Sequence, residues 1–320
     1  MKKIAYLMGI FILCLGVPFV FAKNYVIGSI QIVDHPDLNN TFKGFKAALE
    51  EEGFVEGENV TFIVNKNPTG KIDGVKSAVK EYIDKKVDMI LAITTPCALT
   101  AVKATSTIPV VFAIVREPVK LGVVKDLEHP GGNATGTMLI YPIFNLIKVA
   151  KDIVPGIKKM VLIEDKNKAL KAEMQTSLAN KAKSMGITLD VVYISSKDEV
   201  ADTVNSLKGK ADCILANNNM EVIHAMDSLI KATLENKIPL ITTNEPSVEK
   251  GALATSAVDY FKEGKKVGKM AAKILRGVLP SEIPVEKPTS YRLVINLKTA
   301  NEIGVKVPGR FQIIADRLIK

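Results

Sequence analysis

Two α/β lobes, each a parallel sheet covered by helices, are what this sequence predicts, and an internal echo is the first reason. Asp88-Met-Ile-Leu-Ala is followed by Ile108-Pro-Val-Val-Phe, and Asp212-Cys-Ile-Leu-Ala by Ile238-Pro-Leu-Ile-Thr, the same strand openings in the same order. The second reason is the alternation of short apolar strands with helix-period segments, which builds parallel sheets buried on both faces. The third is where polar residues fall. The echoed strands run into Thr94-Thr95-Pro96 and Arg116-Glu117-Pro118 in the first copy, and into Asn217-Asn218-Asn219 and Asn244-Glu245-Pro246 in the second. Such tips share the carboxyl edge of a parallel sheet, where open α/β sheets bind ligands. Two such edges facing each other make a cleft.

The elements follow in order. Residues 1–22 have a basic start at Lys2-Lys3, an apolar run interrupted by Gly16 and Pro18, and the exit Val20-Phe21-Ala22. That is the pattern of a secretory signal peptide cleaved after Ala22. Cys14 follows the bulky Leu13, which argues against a lipid anchor, and no later apolar run is long enough to span a bilayer. Residues 26–32 read as a first strand ending at Val33-Asp34-His35-Pro36. Phe42, Phe45, Ala48 and Leu49 then recur at helical spacing up to Gly53. A strand at 59–65, a helix at 72–85, strands at 89–93 and 110–115 and a helix at 96–105 between them complete the first lobe. Pro130-Gly131-Gly132-Asn133 is turn chemistry where that lobe runs out. No Lys-Ser or Lys-Thr follows it, so it does not read as a phosphate-cradling loop.

The second lobe repeats the scheme with strands at 160–163 and 188–193, helices at 170–185 and 199–207, and the echoed strands flanking a helix at 221–235. Gly251-Ala-Leu-Ala-Thr255 leads through Asp259-Tyr260 into a helix that reaches Leu275 and stops at Gly277. The proline-rich stretch 280–288 reads as an extended crossing segment, 291–297 as a last strand, and a short helix starts at Lys298.

Composition narrows the function. A chain of 320 residues holds about two domains. The net charge of +9 comes from scattered basic residues. Lys262, Lys265, Lys266, Lys269 and Lys273 share one helical face, but no aromatic residues interleave for base stacking, so no nucleic acid partner is expected. Cys97 and Cys213 fall at opposite ends of their parallel strands, which keeps both as free thiols. His35, His129 and His224 are in no metal spacing, and the nucleophile-elbow, Walker and dinucleotide patterns are missing. No cofactor, no metal and no catalysis are expected.

Binding, by contrast, is provided for. Thr95 before Pro96 has the form of an N-cap with proline in the first turn, and a helix start attracts a carboxylate. Thr94 and Thr95 add hydroxyl donors, and Arg116 pairs with a carboxylate. Asp34, Glu117, Glu245 and Asp259 are acids at or near the tips for an ammonium group. Asn217, Asn219 and Asn244, with Asn218, both donate and accept. Any one of these has an ordinary cap or a solvated loop charge as its competing reading. Aromatic stacking walls are not evident; Tyr141 and Tyr260 are the candidates.

Ile108-Pro-Val-Val-Phe-Ala, Glu117-Pro-Val-Lys-Leu-Gly, Pro130-Gly-Gly-Asn-Ala-Thr-Gly136, Gly251-Ala-Leu-Ala-Thr, Val258-Asp-Tyr, Leu293-Val-Ile-Asn-Leu-Lys-Thr-Ala300 and Ala315-Asp316-Arg317 resemble, in order, the ABC transporter substrate-binding proteins. That family includes tryptophan/tyrosine-binding proteins. The resemblance implies a type I periplasmic binding protein fold of two Rossmann-like lobes joined by crossover strands. Residues 23–140 with 255–280 would form one lobe, and 141–254 with 281–320 the other. It also implies an exported, periplasmic monomer that captures a small-molecule solute, an amino acid or similar zwitterion, and hands it to an ABC permease. Thr94 and Thr95 would hold the carboxylate, Asp259 or Glu245 the ammonium, and the Asn tips would close over it.

The chain also departs from the family pattern. Arg116-Glu117 stands where many members have Asp before the proline, and the three asparagines where an Asp often lies. An ammonium would then need Glu117, Glu245, Asp34 or Asp259 as counter-charge. A sensor presenting to a membrane receptor, a sugar- or nucleoside-binding protein and an exported enzyme are the alternatives.

Overall fold

The computed structural model describes residues 23–320 except 66–68, 141, 218 and 290. The expected signal peptide at 1–22, Tyr141 and Asn218 therefore lie outside the described residues. The first sheet is built from β1 (Tyr25–Gln31), β2 (Val60–Val64), β3 (Met89–Ile93), β4 (Val110–Val115) and β5 (Ala134–Met138). They pair in the order β2-β1-β3-β4-β5, all parallel. Every residue of β3 and β4 is buried, as unbroken apolar runs in a sheet covered on both faces require. The crossovers are α1 (Pro36–Glu51), α2 (Ile72–Asp84) and α3 (Thr95–Ala104).

The second lobe begins with α4 (Pro142–Ile153) and continues through β6 (Lys159–Asp165), α5 (Ala172–Ser184), β7 (Thr188–Ile194), α6 (Val200–Leu207) and β8 (Cys213–Ala216). Then come α7 (Met220–His224), α8 (Met226–Glu235), β9 (Leu240–Thr242), α9 (Glu245–Lys250) and β10 (Ala254–Val258). After α10 (Tyr260–Leu275) the chain adds β11 (Tyr291–Asn296), α11 (Leu297–Ile303), α12 (Gly309–Ile314) and β12 (Arg317–Ile319). The sheet order is β12-β11-β10-β9-β8-β6-β7. Strands β5, β10 and β12 and helices α4, α9 and α12 are additions to the elements read from sequence, and the helix expected at 221–235 is broken at Ala225 into α7 and α8.

The echo has a hydrogen-bonding cause. Asp88 opens β3, and its Oδ2 accepts from the N–H of Val26 in the neighbouring β1 at 2.8 Å. Asp212 opens β8, and its Oδ2 accepts from the N–H groups of Lys158 and Lys159 at 2.8 Å, at the start of β6. The proline of each Ile-Pro pair offers its carbonyl across the sheet: Ile90 N donates to Pro109 O at 2.9 Å, Ile214 N to Pro239 O at 2.8 Å. A proline has no N–H for the ladder, so it stands just outside the strand with its carbonyl in use.

The lobes exchange segments. Helix α10 leaves the second sheet and packs on α1 through glycines. A Cβ on Gly264 would sit 2.0 Å from the Thr41 carbonyl oxygen, and one on Gly44 2.0 Å from that of Phe261, so only hydrogen fits at either crossing. Val267, Met270 and Ala271 thereby join Phe45, Leu49 and Val111 in the core of the first lobe. Ile283 to Glu286 also stay with that lobe: Thr135 Oγ1 donates to Ile283 O at 2.6 Å, Met138 N to Glu286 O at 2.8 Å and Glu286 N to Gly136 O at 3.0 Å. Sheet pairing thus holds the chain in the second lobe through Val258, beyond the expected change at 254/255. It keeps residues to Glu286 with the first lobe, beyond the expected change at 280/281. Because the chain re-enters the second sheet from the side on which β10 left, β11 runs antiparallel to β10, the one antiparallel strand pair described.

Candidate functional site

The carboxyl ends of the two sheets face one another across a cavity of about 600 Å³. From the first lobe, Asp37 and Asn40 on α1, Arg116 after β4, and Tyr260 and Phe261 at the start of α10 line it. From the second, Asn217 and Asn219 follow β8, Thr243, Asn244 and Glu245 follow β9, and Thr255 and Arg292 come from β10 and β11. Asp259, where the chain passes between lobes, completes the wall. A second cavity of about 540 Å³ adjoins the first lobe's edge, sharing Asp37, Arg116 and Tyr260 and adding Thr94, Thr95 and Glu117.

The expected site residues take distinct places. Thr94 rather than Thr95 is the N-cap of α3, with a φ of +86° that a threonine adopts only under constraint. Its hydroxyl bonds the Cys97 Sγ at 3.7 Å and caps no backbone N–H. Thr95 is the first helical residue, and its Oγ1 accepts the Arg116 N–H at 2.9 Å, tying the helix start to the tip of β4. Glu117 pairs with Lys120 at 3.3 Å. Glu245 is bound by Arg317 at 2.8 Å and faces Arg292 at 3.6 Å, so its charge is already answered within the second lobe. Asn244 caps α9, its Oδ1 accepting from Ser247 N at 3.0 Å. Asp259 caps α10, accepting from Lys262 N at 3.0 Å. Asp34 lines neither cavity; its carboxylate accepts from Asn39 Nδ2 at 2.7 Å and braces the loop before α1.

Asp37, Asn40, Thr243, Thr255, Phe261 and Arg292 went unnoticed in the sequence, where each looks like an ordinary helix or strand residue. Burial pushes the Asp37 carboxyl above its ordinary value, against the pull of His35. Burial also raises the Tyr260 phenol to about 12, with Asp37 adding to the rise and Arg116 opposing it, so this ring carries an uncharged hydroxyl.

Glu164, at the end of β6, is another residue the sequence did not mark. It is 1 % exposed, and its carboxylate accepts from Asn217 Nδ2 at 3.0 Å and from Asn219 Nδ2. Three residues of the cavity lining, Asn219, Thr243 and Thr255, each hold a buried side-chain oxygen with no hydrogen-bond partner among the described residues. Buried polar atoms are almost always paired, so three unpaired oxygens in one lining are unusual. Among the described residues no group of His, Cys, Asp and Glu is arranged to hold a metal, and no helix is long and apolar enough to cross a membrane.

Two α/β lobes joined by crossing segments, with a polar cleft between their sheet edges, define a type I periplasmic binding protein. The chain belongs to the ABC transporter substrate binding protein family, which its residues 26–319 match. It is 34% identical over 284 residues to a tyrosine-binding protein of Clostridioides difficile (strain R20291), covering 89% of this chain and 82% of that one. A ligand-free, open structure of a substrate binding protein with adhesive properties from Clostridium difficile is 32% identical, with a TM-score of 0.82 over 92% of this chain and 99% of that one. An ABC domain in complex with L-Trp from Streptococcus pneumoniae is 28% identical, with a TM-score of 0.70 over 93% and 100%.

Proposed function

We propose that this chain captures an amino acid, with an aromatic side chain favoured, in the cleft between its lobes and delivers it to an ABC permease. The observation that carries the reading is the cavity between the lobes, where Arg116, Asp37 and Asp259 share the lining with Asn219, Thr243 and Thr255, whose side-chain oxygens lack partners. A zwitterion needs donors and acceptors of both signs, and this cavity offers them. Arg116, with the start of α3 beside it, suits the carboxylate. Asp37 suits the ammonium, because Glu245 is committed to Arg317 and Arg292, and Asp259 caps α10 and pairs with Lys262 at 3.4 Å. Tyr260 and Phe261 supply apolar surface for a ring. The relatives that bind tyrosine or hold L-Trp support the aromatic class.

The stronger likeness to an open, ligand-free structure supports reading the present cleft as open. Closure then brings the two half-sites onto one solute, so affinity includes the lobe equilibrium. The leader at 1–22 supports export to the periplasm, where a monomer would meet its permease. The solute is bound and released unchanged. Mass spectrometry of small molecules freed on denaturing the purified protein tests this, followed by a thermal-shift panel. L-tyrosine or L-tryptophan should be recovered or should raise the melting temperature. A recovered sugar or nucleoside, with no amino acid stabilising the protein, would overturn the proposal.

A further inference from the structure

We propose that Arg292 is a specificity-determining residue of the second lobe: as the lobes close, its guanidinium passes from Glu245 to the carboxylate of the solute, so that the carboxylate is what closes the cleft. The inference rests on the amino-acid reading of the cleft and gives Arg116 a counterpart on the opposite lobe.

Sheet register places Arg292 on the cavity side. In the antiparallel pair, Ala257 of β10 stands opposite Arg292 of β11, and Thr255 opposite Val294. Residues two apart on a strand share a face of the sheet, and directly opposed partners share it too. All four of these residues line the cavity, so the Arg292 side chain rises from the face that borders it. Its guanidinium is there as well: Nη1 lies 3.6 Å from Oε2 of Glu245, another residue of the lining. The Arg292 side chain is 45 % exposed, which leaves it accessible to a solute in the cleft.

Arg292 is also the loosely held member of its ion-pair group. Arg317 donates to Glu245 Oε1 at 2.8 Å and to Glu249 Oε1 at 2.6 Å. Arg292 approaches Glu245 only to 3.6 Å, beyond hydrogen-bond reach. Glu245 therefore keeps a hydrogen-bonded partner when Arg292 turns away, and the exchange strands no carboxylate. Asp259 does not compete for the guanidinium, since it pairs with Lys262 at 3.4 Å and accepts that residue's backbone N–H. Asp37, on α1 of the first lobe, answers the solute's ammonium.

Arg116 lines the same cavity from the first lobe. Guanidinium groups on facing walls repel, which favours an open cleft while it is empty. A carboxylate between them replaces that repulsion with two charge-assisted contacts, and the guanidinium fork matches its two oxygens. The solute then binds the closed arrangement better than the open one, which is the condition for it to close the lobes. A carboxamide brings no charge and leaves the two cations opposed.

The test is titration calorimetry of wild type, Arg292→Gln and Arg292→Lys with L-tyrosine, L-tryptophan and their carboxamides, and small-angle X-ray scattering of each protein with the amino acids at saturation. Wild type should prefer the amino acids to their carboxamides and contract on binding them. In Arg292→Gln that preference should fall roughly tenfold, with a smaller contraction. Arg292→Lys, which keeps the charge and loses the fork, should fall between the two. A purely structural role would weaken amino acids and carboxamides alike. That result, a wild type without the preference, or an unchanged preference in Arg292→Gln overturns the inference while the proposed function stands. If Arg292→Gln does not fold, Arg292→Lys decides: a preference equal to that of wild type overturns the inference. Wild type binding none of the four probes would contradict the proposed function itself, and this inference with it.

Discussion

Replacing Thr255 with Val should make the ligand-free protein more stable and a worse binder. Thr255 is 0 % exposed, sits in β10 between Thr242 of β9 and Val294 of β11, and its Oγ1 has no partner among the described residues. Burying a hydroxyl without a partner costs about 1–3 kcal/mol. Val keeps the branched shape and its χ1 preference, so the neighbouring strands need not move, and the methyl that replaces the hydroxyl needs no hydrogen-bond partner. A gain of about 1 kcal/mol in the ligand-free state corresponds to a rise of roughly 2–4 °C in melting temperature for a unit of this size. The same change removes one hydrogen bond to the solute, about 1 kcal/mol, or roughly fivefold in affinity for L-tyrosine. Differential scanning calorimetry without ligand and titration calorimetry with L-tyrosine read the two effects separately. A lower melting temperature with unchanged affinity would show that the hydroxyl serves the fold, and would refute the reasoning from unpartnered oxygens. Thr255→Ser, which keeps the hydroxyl, should retain more of the affinity than Val does.

Two further predictions concern the frame of the site. Gly264→Ala places a methyl 2.0 Å from the Thr41 carbonyl oxygen and must push α10 off α1; a loss of about 1–3 kcal/mol in chemical denaturation is expected, and an unaltered midpoint would contradict the close helix contact. The second is a pH effect. Burial holds the Glu164 carboxyl above its ordinary value, so the folded state binds this proton more tightly than the unfolded chain. The cost of the buried charge is full above the folded pKa, shrinks as pH falls through it, and is gone below the unfolded value. Wild type should therefore gain stability relative to Glu164→Gln as pH falls through the raised folded value towards the ordinary carboxylate range, and a flat or opposite trend in their denaturation midpoints would count against a strained carboxylate.

The fold was legible where local chemistry repeats. The Asp-x-Ile-Leu-Ala and Ile-Pro pairs mark β3 and β8, β4 and β9, because each copy has an aspartate that receives an N–H near its neighbour's start and a proline carbonyl outside the strand. Strand direction is not encoded locally, so the antiparallel entry of β11 was hidden; it follows from α10 lying in the other lobe. Thr94 and Thr95 are indistinguishable as caps in a Thr-Thr-Pro string; the fold gives Thr94 the positive φ of the cap and ties Thr95 to Arg116.

At the site, Arg116, Asn217, Asn219, Asn244, Glu245 and Asp259 stand on the main cavity because strand tips are readable. Thr243 and Thr255 are ordinary strand threonines until one sees that nothing bonds them, a property of the folded surroundings. Glu164 looks like a solvated strand end; its two asparagines lie more than fifty residues away. Asp34 occupies a strand end as the pattern suggests, yet Asn39 takes its carboxylate.

The central claim, a solute held between the lobes by atoms now without partners, is tested most directly by a crystal structure of the protein grown with L-tyrosine. The account predicts closed lobes with the amino acid within hydrogen-bond distance of Asn219 Oδ1, Thr243 Oγ1 or Thr255 Oγ1 on one side and of Arg116 on the other. Tyrosine bound elsewhere, or bound in the cleft with all three oxygens still unpaired, would contradict it.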